Sequence, residues 1–317
     1  MNIGIYTYWG LPRNSVMYMK SIVELLNKEH KVFIWNVGNN DITDEFKNID
    51  ATIHPKDEKG GFQQWLTDNK IEVCIFNTYN IYEQDGDKVD LCDKLKIKTI
   101  GYVPYDSLDK NKEHYNLFLS PSLNYKRKAL QQRIFNQIIL PYTVNLEEYN
   151  IKPMGKEDET IVYLHLKGID PLGSGDTKFL EKHWNDIRYA DEELLIIDKE
   201  YYLMNRYDLI RYMKTSDCLI LPFNKRNEIC ATIIEAFACG KPVITNDIEP
   251  INDFVKQNTN GFLIKETKDV DKKREYRKIM DMLRQNMILK IVSQNAHKTA
   301  QEFDNTKFIE TVKELLK

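Results

Sequence analysis

The stretch NEICATIIEAFACGKPVITND (227–247) holds two carboxylates, Glu228 and Glu235, seven positions apart. Seven residues are about two helical turns, so the pair shares one face if the helix already runs from Glu228. Ile233, Ile234, Phe237 and Ala238 form its apolar stripe, and Gly240 with Pro242 stops it. Upstream, CLILPF reads as a buried strand and NKRNE as a loop. The helix therefore opens at a strand's carboxyl end, presenting unpaired N–H groups and the positive end of its dipole, an arrangement suited to a diphosphate. A carboxylate on such a helix can accept two hydrogen bonds from a vicinal diol, as in a ribose or a sugar ring. A plainer role fits equally well: Glu228 complements the dipole and Glu235 lies on the surface. Spacing alone does not choose between the two.

The elements that position this helix alternate along the chain. IGIYTYW (3–9) reads as a strand, VMYMKSIVELLNK as an amphipathic helix and HKVFIWNV as a strand, a βαβ unit that implies a parallel sheet. FQQWLTDN (helix), IEVCIFN (strand), KVDLCDKL (helix), KTIGYVP and YNLFLSPS (strands), LNYKRKALQQR (helix) and QIILPY (strand) complete a doubly wound domain over 1–150. IKPMGKEDE, with Pro153 and Gly155, is the linker candidate. A second domain over 151–317 follows with TIVYLHL, the Gly-rich loop GIDPLGSGDT, FLEKHWNDI, ELLIID, NRYDLIRYMKTS, CLILPF, the helix above and PVIT. Its tail from Val270 is helical and charged, most simply a solvated face, and the last helix is expected to cross back to the first domain. The fold class is thus α/β, with two doubly wound Rossmann-like domains facing a cleft where ligands bind.

Composition removes several classes. The chain has 317 residues, 42% hydrophobic and 11% aromatic, enough for two packed cores. Its 45 basic and 48 acidic residues nearly balance, which disfavours a nucleic-acid partner. KRKALQQR (126–133) is the compact basic cluster and reads as the cover of a helix. The five cysteines are scattered beside apolar residues, as buried thiols of a reducing cytoplasm are, and none shows zinc-site spacing. No long apolar run or leader pattern appears, so a soluble, cytoplasmic protein is expected. Asp85-Gly86-Asp87 reads as a turn rather than a metal site, GSGDTK lacks the third glycine of a dinucleotide fingerprint, and His165 reads as a core or cleft-edge residue.

The run PFNKRNEICATIIEAFACGKPVITND, followed by IEPINDFVKQNTNGFLI, resembles the C-terminal signature of the GT-B glycosyltransferases, in particular the retaining enzymes of family 4 (group 1). That signature is a Glu, seven residues, a second Glu, Ala-Met-Ala-x-Gly-x-Pro-Val-Ile, then a later Asn-Gly. Glu235 with AFACGKPVI matches its second half, and Asn260-Gly261 the later turn. LFLSPS followed by LPYTVNLEEYN (140–150) is similar, more weakly, to the end of the family's first domain. The order of elements agrees throughout, and the specific part spans about 208–264.

The resemblance implies that Glu235 holds the ribose diol and that the first Glu contacts the donor sugar. Counting back from Glu235 the family position falls on Asn227, with Glu228 one place later, so either the loop shifts by one residue or an amide takes the role. The family's diphosphate-gripping Arg and Lys have Lys167 and Lys178 in their region and no Arg, while Arg226 is a third cation; the backbone of Cys230, Ala231 and Thr232 completes that group. Gly10 is the one glycine of the first loop, and Tyr105 with Asp106 stands where relatives place a His.

The implied function is transfer of a sugar from a nucleotide-sugar donor to an acceptor hydroxyl, with retention and no metal or other cofactor. The acceptor is left open among a glycan, a lipid-linked sugar and a protein, and peripheral contact with the inner membrane face is compatible. A second reading is a catalytically degenerate GT-B protein that binds a sugar nucleotide or partners another glycosyltransferase. The displaced first Glu, the missing His and the missing Arg motivate it.

Overall fold

The computed structural model describes residues 1–7, 9, 14–38, 49–55, 61–77, 81–102, 115–152, 160–166, 175–197, 204, 206–223, 230–265 and 268–317, without the side chains of 14–15, 81–85 and 175–176. The chain divides into two compact units, Met1–Thr143 with Asn305–Lys317, and Val144–Asp304. The division thus falls between Thr143 and Val144, while residues 153–159 of the linker candidate lie outside the described residues.

The first unit is built on a seven-stranded parallel sheet. Its strands are β1 (Asn2–Thr7), β2 (Lys31–Asn36), β3 (Thr52–Pro55), β4 (Val73–Asn77), β5 (Lys98–Tyr102), β6 (Leu117–Ser120) and β7 (Gln137–Ile139), in spatial order β3-β2-β1-β4-β5-β6-β7. Helices α1 (Asn14–Leu26), α2 (Gly61–Asp68), α3 (Ile81–Lys94) and α4 (Leu123–Gln131) connect them. The winding reverses between β1 and β4, as in a doubly wound fold. Strands β1 and β4 are buried on both faces, which is why they read as apolar runs. Trp65 and Phe62 of α2 pack on the sheet with Tyr6, Trp35 and Phe76.

Two elements depart from the sequence reading. Strand β3 was not expected: it is short, half exposed and ends at Pro55, and it gains its identity by pairing Thr52–Pro55 with Phe33–Asn36 at the sheet edge. The segment YEQDGDK, read as a turn, lies inside α3. A glycine inside a helix costs about 1 kcal/mol relative to alanine. Burial of Val89 and Cys92 one and two turns further on offsets it.

The second unit holds a five-stranded parallel sheet of β8 (Ile161–Leu166), β9 (Glu192–Ile197), β10 (Cys218–Leu221), β11 (Val243–Asn246) and β12 (Gly261–Ile264), in order β12-β11-β10-β8-β9. Its helices are α5 (Gly175–Ile187), α6 (Arg206–Thr215), α7 (Ala231–Ala238), the single turn α8 (Ile251–Phe254), α9 (Asp269–Leu283) and α10 (Asn286–Glu302); α11 (Ile309–Leu316) belongs to the first unit. Here the winding reverses between β8 and β10. In the charged tail, α9 buries Tyr276, Ile279, Met280 and Leu283, spaced by three and four, against Tyr163, Phe179 and Ile220. Arg277 and Arg284 flank the Tyr189 ring at 3.9 and 4.4 Å from its centroid, holding α9 to the end of α5. Among the described residues no helix is long and apolar enough to cross a membrane.

Gly261 opens β12 beside β11, and a Cβ there would lie 2.5 Å from the backbone oxygen of Val243. Backbone cannot yield as a side chain does, so Gly261→Ala is expected to cost about 1–3 kcal/mol. That loss reads as a fall in melting temperature of roughly 2–4 °C per kcal/mol. An unchanged melting temperature would contradict the β11–β12 packing.

Candidate functional site

At the winding reversal of the second sheet, the chain leaves the carboxyl ends of β8 and β10 toward α5 and α7, the position at which open α/β sheets bind ligands. His165 fixes this platform from inside. It is 2% exposed; its Nδ1 lies 2.8 Å from the Ile220 carbonyl oxygen and its Nε2 3.0 Å from Thr177 Oγ1. A carbonyl only accepts, so in the neutral ring Nδ1 donates and Nε2 accepts from the Thr177 hydroxyl. One side chain thereby ties β8 to β10 and to the first turn of α5. Lys178, the next residue, is exposed.

Helix α7 opens at Ala231, not at Glu228. Cys230 caps it in the left-handed region, φ +52°, and its carbonyl accepts from the N–H groups of Ile233 and Ile234 at 3.0 and 3.1 Å. A residue in that conformation ends helical geometry, so α7 has no helical turn before Ala231 among the described residues. At the other end Gly240, φ +72°, lets its own N–H reach Phe237 O at 2.8 Å and the Lys241 N–H reach Ala236 O at 2.9 Å, a complete Schellman stop. Every residue of α7 is buried, Cys230 and Thr232 included.

Glu235 is therefore not a surface residue: it is 5% exposed. Arg206 Nη1, from the first position of α6, donates to Glu235 Oε1 at 2.7 Å. Arg206 Nη2 donates to the hydroxyl of Tyr149, which ends the 3₁₀ turn Leu146–Tyr149. Burial pushes the Tyr149 phenol well above its ordinary range, against the opposing pull of Arg206, so it stays protonated. Burial likewise pushes the Cys239 thiol, after α7, up to about 12, which removes it as a nucleophile at neutral pH.

Of the site residues expected from the sequence, Glu235, Cys230, Ala231, Thr232 and Lys178 fall on these two helices or at their cap. Glu228, Asn227, Arg226, Lys167, Tyr105, Asp106 and Gly10 lie outside the described residues. Among the described residues no three His, Cys, Asp or Glu side chains gather as a metal site. Arg206 and Tyr149 were not anticipated. A signal for Arg206 was present: a cation in the first turn of a helix opposes the dipole and implies a specific anionic partner.

Comparison with known proteins bears on the fold and on the sequence of the second unit. Residues 181–299 match the family described as Glycosyl transferases group 1. Over 133 residues the chain is 29% identical to the Escherichia coli UDP-Gal:alpha-D-GlcNAc-diphosphoundecaprenol alpha-1,3-galactosyltransferase, a stretch covering 41% of this chain and 33% of that protein. The Anabaena protein HepE, solved with UDP and glucose, superposes with a TM-score of 0.78 at 14% identity, covering 100% of this chain and 99% of that one. The pneumococcal O-GlcNAc transferase GtfA, solved with UDP and GlcNAc, gives 0.66 at 10%, covering 100% and 98%. The fold is that of the GT-B glycosyltransferases. Within it the stretch similar to the group 1 glycosyl transferases, residues 181–299, lies in the second unit.

The Arg206–Glu235 pair is open to direct test. Removing one partner of a buried pair strands the other charge, so Arg206→Met is expected to destabilise by about 3–5 kcal/mol. Adding Glu235→Gln should restore part of it, with a coupling energy of about 1–3 kcal/mol in urea unfolding. Strictly additive single effects would mean that the two side chains are not paired in solution.

Proposed function

We propose that this protein is a retaining glycosyltransferase that moves a sugar from a UDP-sugar to an acceptor hydroxyl without a metal. The observation that carries the proposal is Glu235. It is a buried carboxylate held in place at the winding reversal of a group 1 glycosyl transferase domain, in the stretch whose sequence resembles the family signature. The uridine nucleotide is favoured because the E. coli relative is named for UDP-Gal and HepE was solved with UDP.

In this reading Glu235 accepts from the ribose diol, and Glu228 or Asn227, with Tyr105 and Asp106, contacts the donor sugar. The leaving diphosphate gains negative charge in the transition state. Backbone N–H groups at Cys230–Thr232 and the cations Lys178, Lys167 and Arg226 offset it, and Gly10 allows backbone N–H groups of the first loop to approach the phosphates. Retention and metal independence rest on the family resemblance.

The acceptor is a lipid-linked sugar, met at an anionic membrane surface. The name of the E. coli relative specifies a diphosphoundecaprenol acceptor, and one face of the first unit suits such a surface. Leu123, Arg127 and Leu130 lie along one stripe of α4 and are exposed, and Phe135 just beyond is 75% exposed. Lys126, Lys128 and Arg133 lie beside them in the sequence, and no Asp or Glu occurs between Glu113 and Glu147. Each basic residue near an anionic surface contributes about 1 kcal/mol.

Melting curves with UDP, GDP, ADP, dTDP and CMP test the donor: a ligand at a hundredfold its Kd adds about 2.7 kcal/mol. UDP is expected to give the largest shift, and Glu235→Ala to weaken binding by about 1.5–3 kcal/mol, as for a hydrogen bond to a charged group. Unaltered binding by a folded Glu235→Ala removes the ribose assignment. Nucleotide binding without transfer to any hydroxyl acceptor returns the degenerate binder. Transfer that survives chelation of divalent cations supports metal independence. For the membrane, binding to phosphatidylglycerol vesicles should fall with salt and drop several-fold in Arg127→Glu. Equal binding to neutral vesicles would remove that part.

A further inference from the structure

We propose that Arg206 is a positioning residue: its guanidinium fixes the plane of the Glu235 carboxylate for recognition of a nucleotide's ribose hydroxyls, with Tyr149 as the brace. The inference rests on the assignment of Glu235 to the ribose and adds two residues that neither the sequence signature nor the comparisons supply.

The guanidinium is a rigid planar fork whose two terminal nitrogens reach different elements. Nη1 meets Glu235 Oε1 on α7 at 2.7 Å, and Nη2 meets the Tyr149 hydroxyl on the 3₁₀ turn Leu146–Tyr149. Its own backbone starts α6. Three separately rooted elements thus converge on one cation. The three side chains are well enclosed: that of Arg206 is 18% exposed, and those of Glu235 and Tyr149 are buried.

A glutamate side chain has three rotatable bonds, and a vicinal diol is recognised only when both acceptor positions lie in the right plane. Fixing that rotor when ligand arrives would cost conformational entropy. Here the hydrogen bond from Arg206 holds the rotor. Tyr149 matters because a neutral, buried phenol holds the far end of the fork without competing for its charge. Arg206 therefore acts through Glu235, in contrast to the cations proposed for the diphosphate.

The test compares the nucleoside diphosphate that gives the largest melting shift, UDP expected, with its 2′,3′-dideoxy analogue. Wild type should prefer the ribonucleotide by tenfold or more, and Glu235→Gln should lose that preference. Arg206→Ala is expected to lose it too: affinity for the ribonucleotide falls about as far as in Glu235→Gln, while affinity for the dideoxy analogue changes less than twofold. Arg206→Lys, a point charge without the fork, should regain part of the preference. If Arg206→Ala does not fold, Tyr149→Phe serves alone, with an expected loss of about threefold in preference and no change toward the analogue.

Equal weakening toward both nucleotides in the Arg206 variants would overturn the proposal, since general damage or a direct diphosphate contact acts on both. Full retention of the preference in Arg206→Ala or, where that does not fold, in Tyr149→Phe would overturn it as well, leaving the ribose assignment standing. Absence of any preference in wild type, or its persistence in Glu235→Gln, would instead remove the ribose assignment and this inference with it.

Discussion

A charge inside a sealed helix must be neutralised locally, and the second unit is arranged around that requirement. Helix α7 is buried along its whole length and carries one ionisable side chain, Glu235. A buried carboxylate without a counter-charge there would cost several kcal/mol. The guanidinium that prevents this comes from the first turn of α6, an unfavourable place for a cation on its own account. The start of α6 and the turn Leu146–Tyr149 are thereby held beside the middle of α7. Pairs of this kind add little net stability over apolar packing of the same volume. In the proposed reading the pair serves recognition by the carboxylate rather than the stability of the unit.

The sheet contributes the second constraint. Reversal of winding between β8 and β10 sends the crossovers that leave their carboxyl ends through α5 and α7 in opposite directions, which opens a crevice there. The His165 bridge to Ile220 and Thr177 and the Thr245 Oγ1 bond to Leu221 O at 2.7 Å stiffen this edge from within the sheet. Polar side chains in a parallel-sheet interior are costly unless satisfied, and these hydrogen bonds are what permit them. The framework under the candidate residues is therefore set by buried hydrogen bonds as well as by apolar area.

The alternation of strands and helices was legible because parallel strands buried on both faces are short apolar runs and their crossover helices show a three-to-four spacing. The stop of α7 was legible for the same local reason, since Gly240 and Pro242 act on the backbone directly. What escaped the sequence depends on tertiary context. Strand β3 exists by pairing with β2, and the helix through Asp85-Gly86-Asp87 is offset by Val89 and Cys92, burial that a local turn signal does not register. Cys230, a non-glycine at positive φ, sets the start of α7 at Ala231, which a local sequence reading does not register. Glu235 itself was located correctly in the chain, but its burial and its partner were not, because the partner lies 29 positions away.

The same pair constrains which cations can serve a diphosphate in the proposed reaction. If Arg206 turned to a phosphate, Glu235 would be left buried without its counter-charge, a penalty of about 3–5 kcal/mol. A charge-assisted hydrogen bond returns about 1.5–3 kcal/mol, so the exchange is unfavourable by itself. Exposed Lys178 has no such tie among the described residues, so its ammonium leaves water rather than a buried carboxylate when it meets a phosphate. In the proposed reading, then, the cations divide by burial. The enclosed arginine orients the carboxylate that recognises the ribose, and solvent-accessible cations such as Lys178 meet the charge that develops on the leaving group.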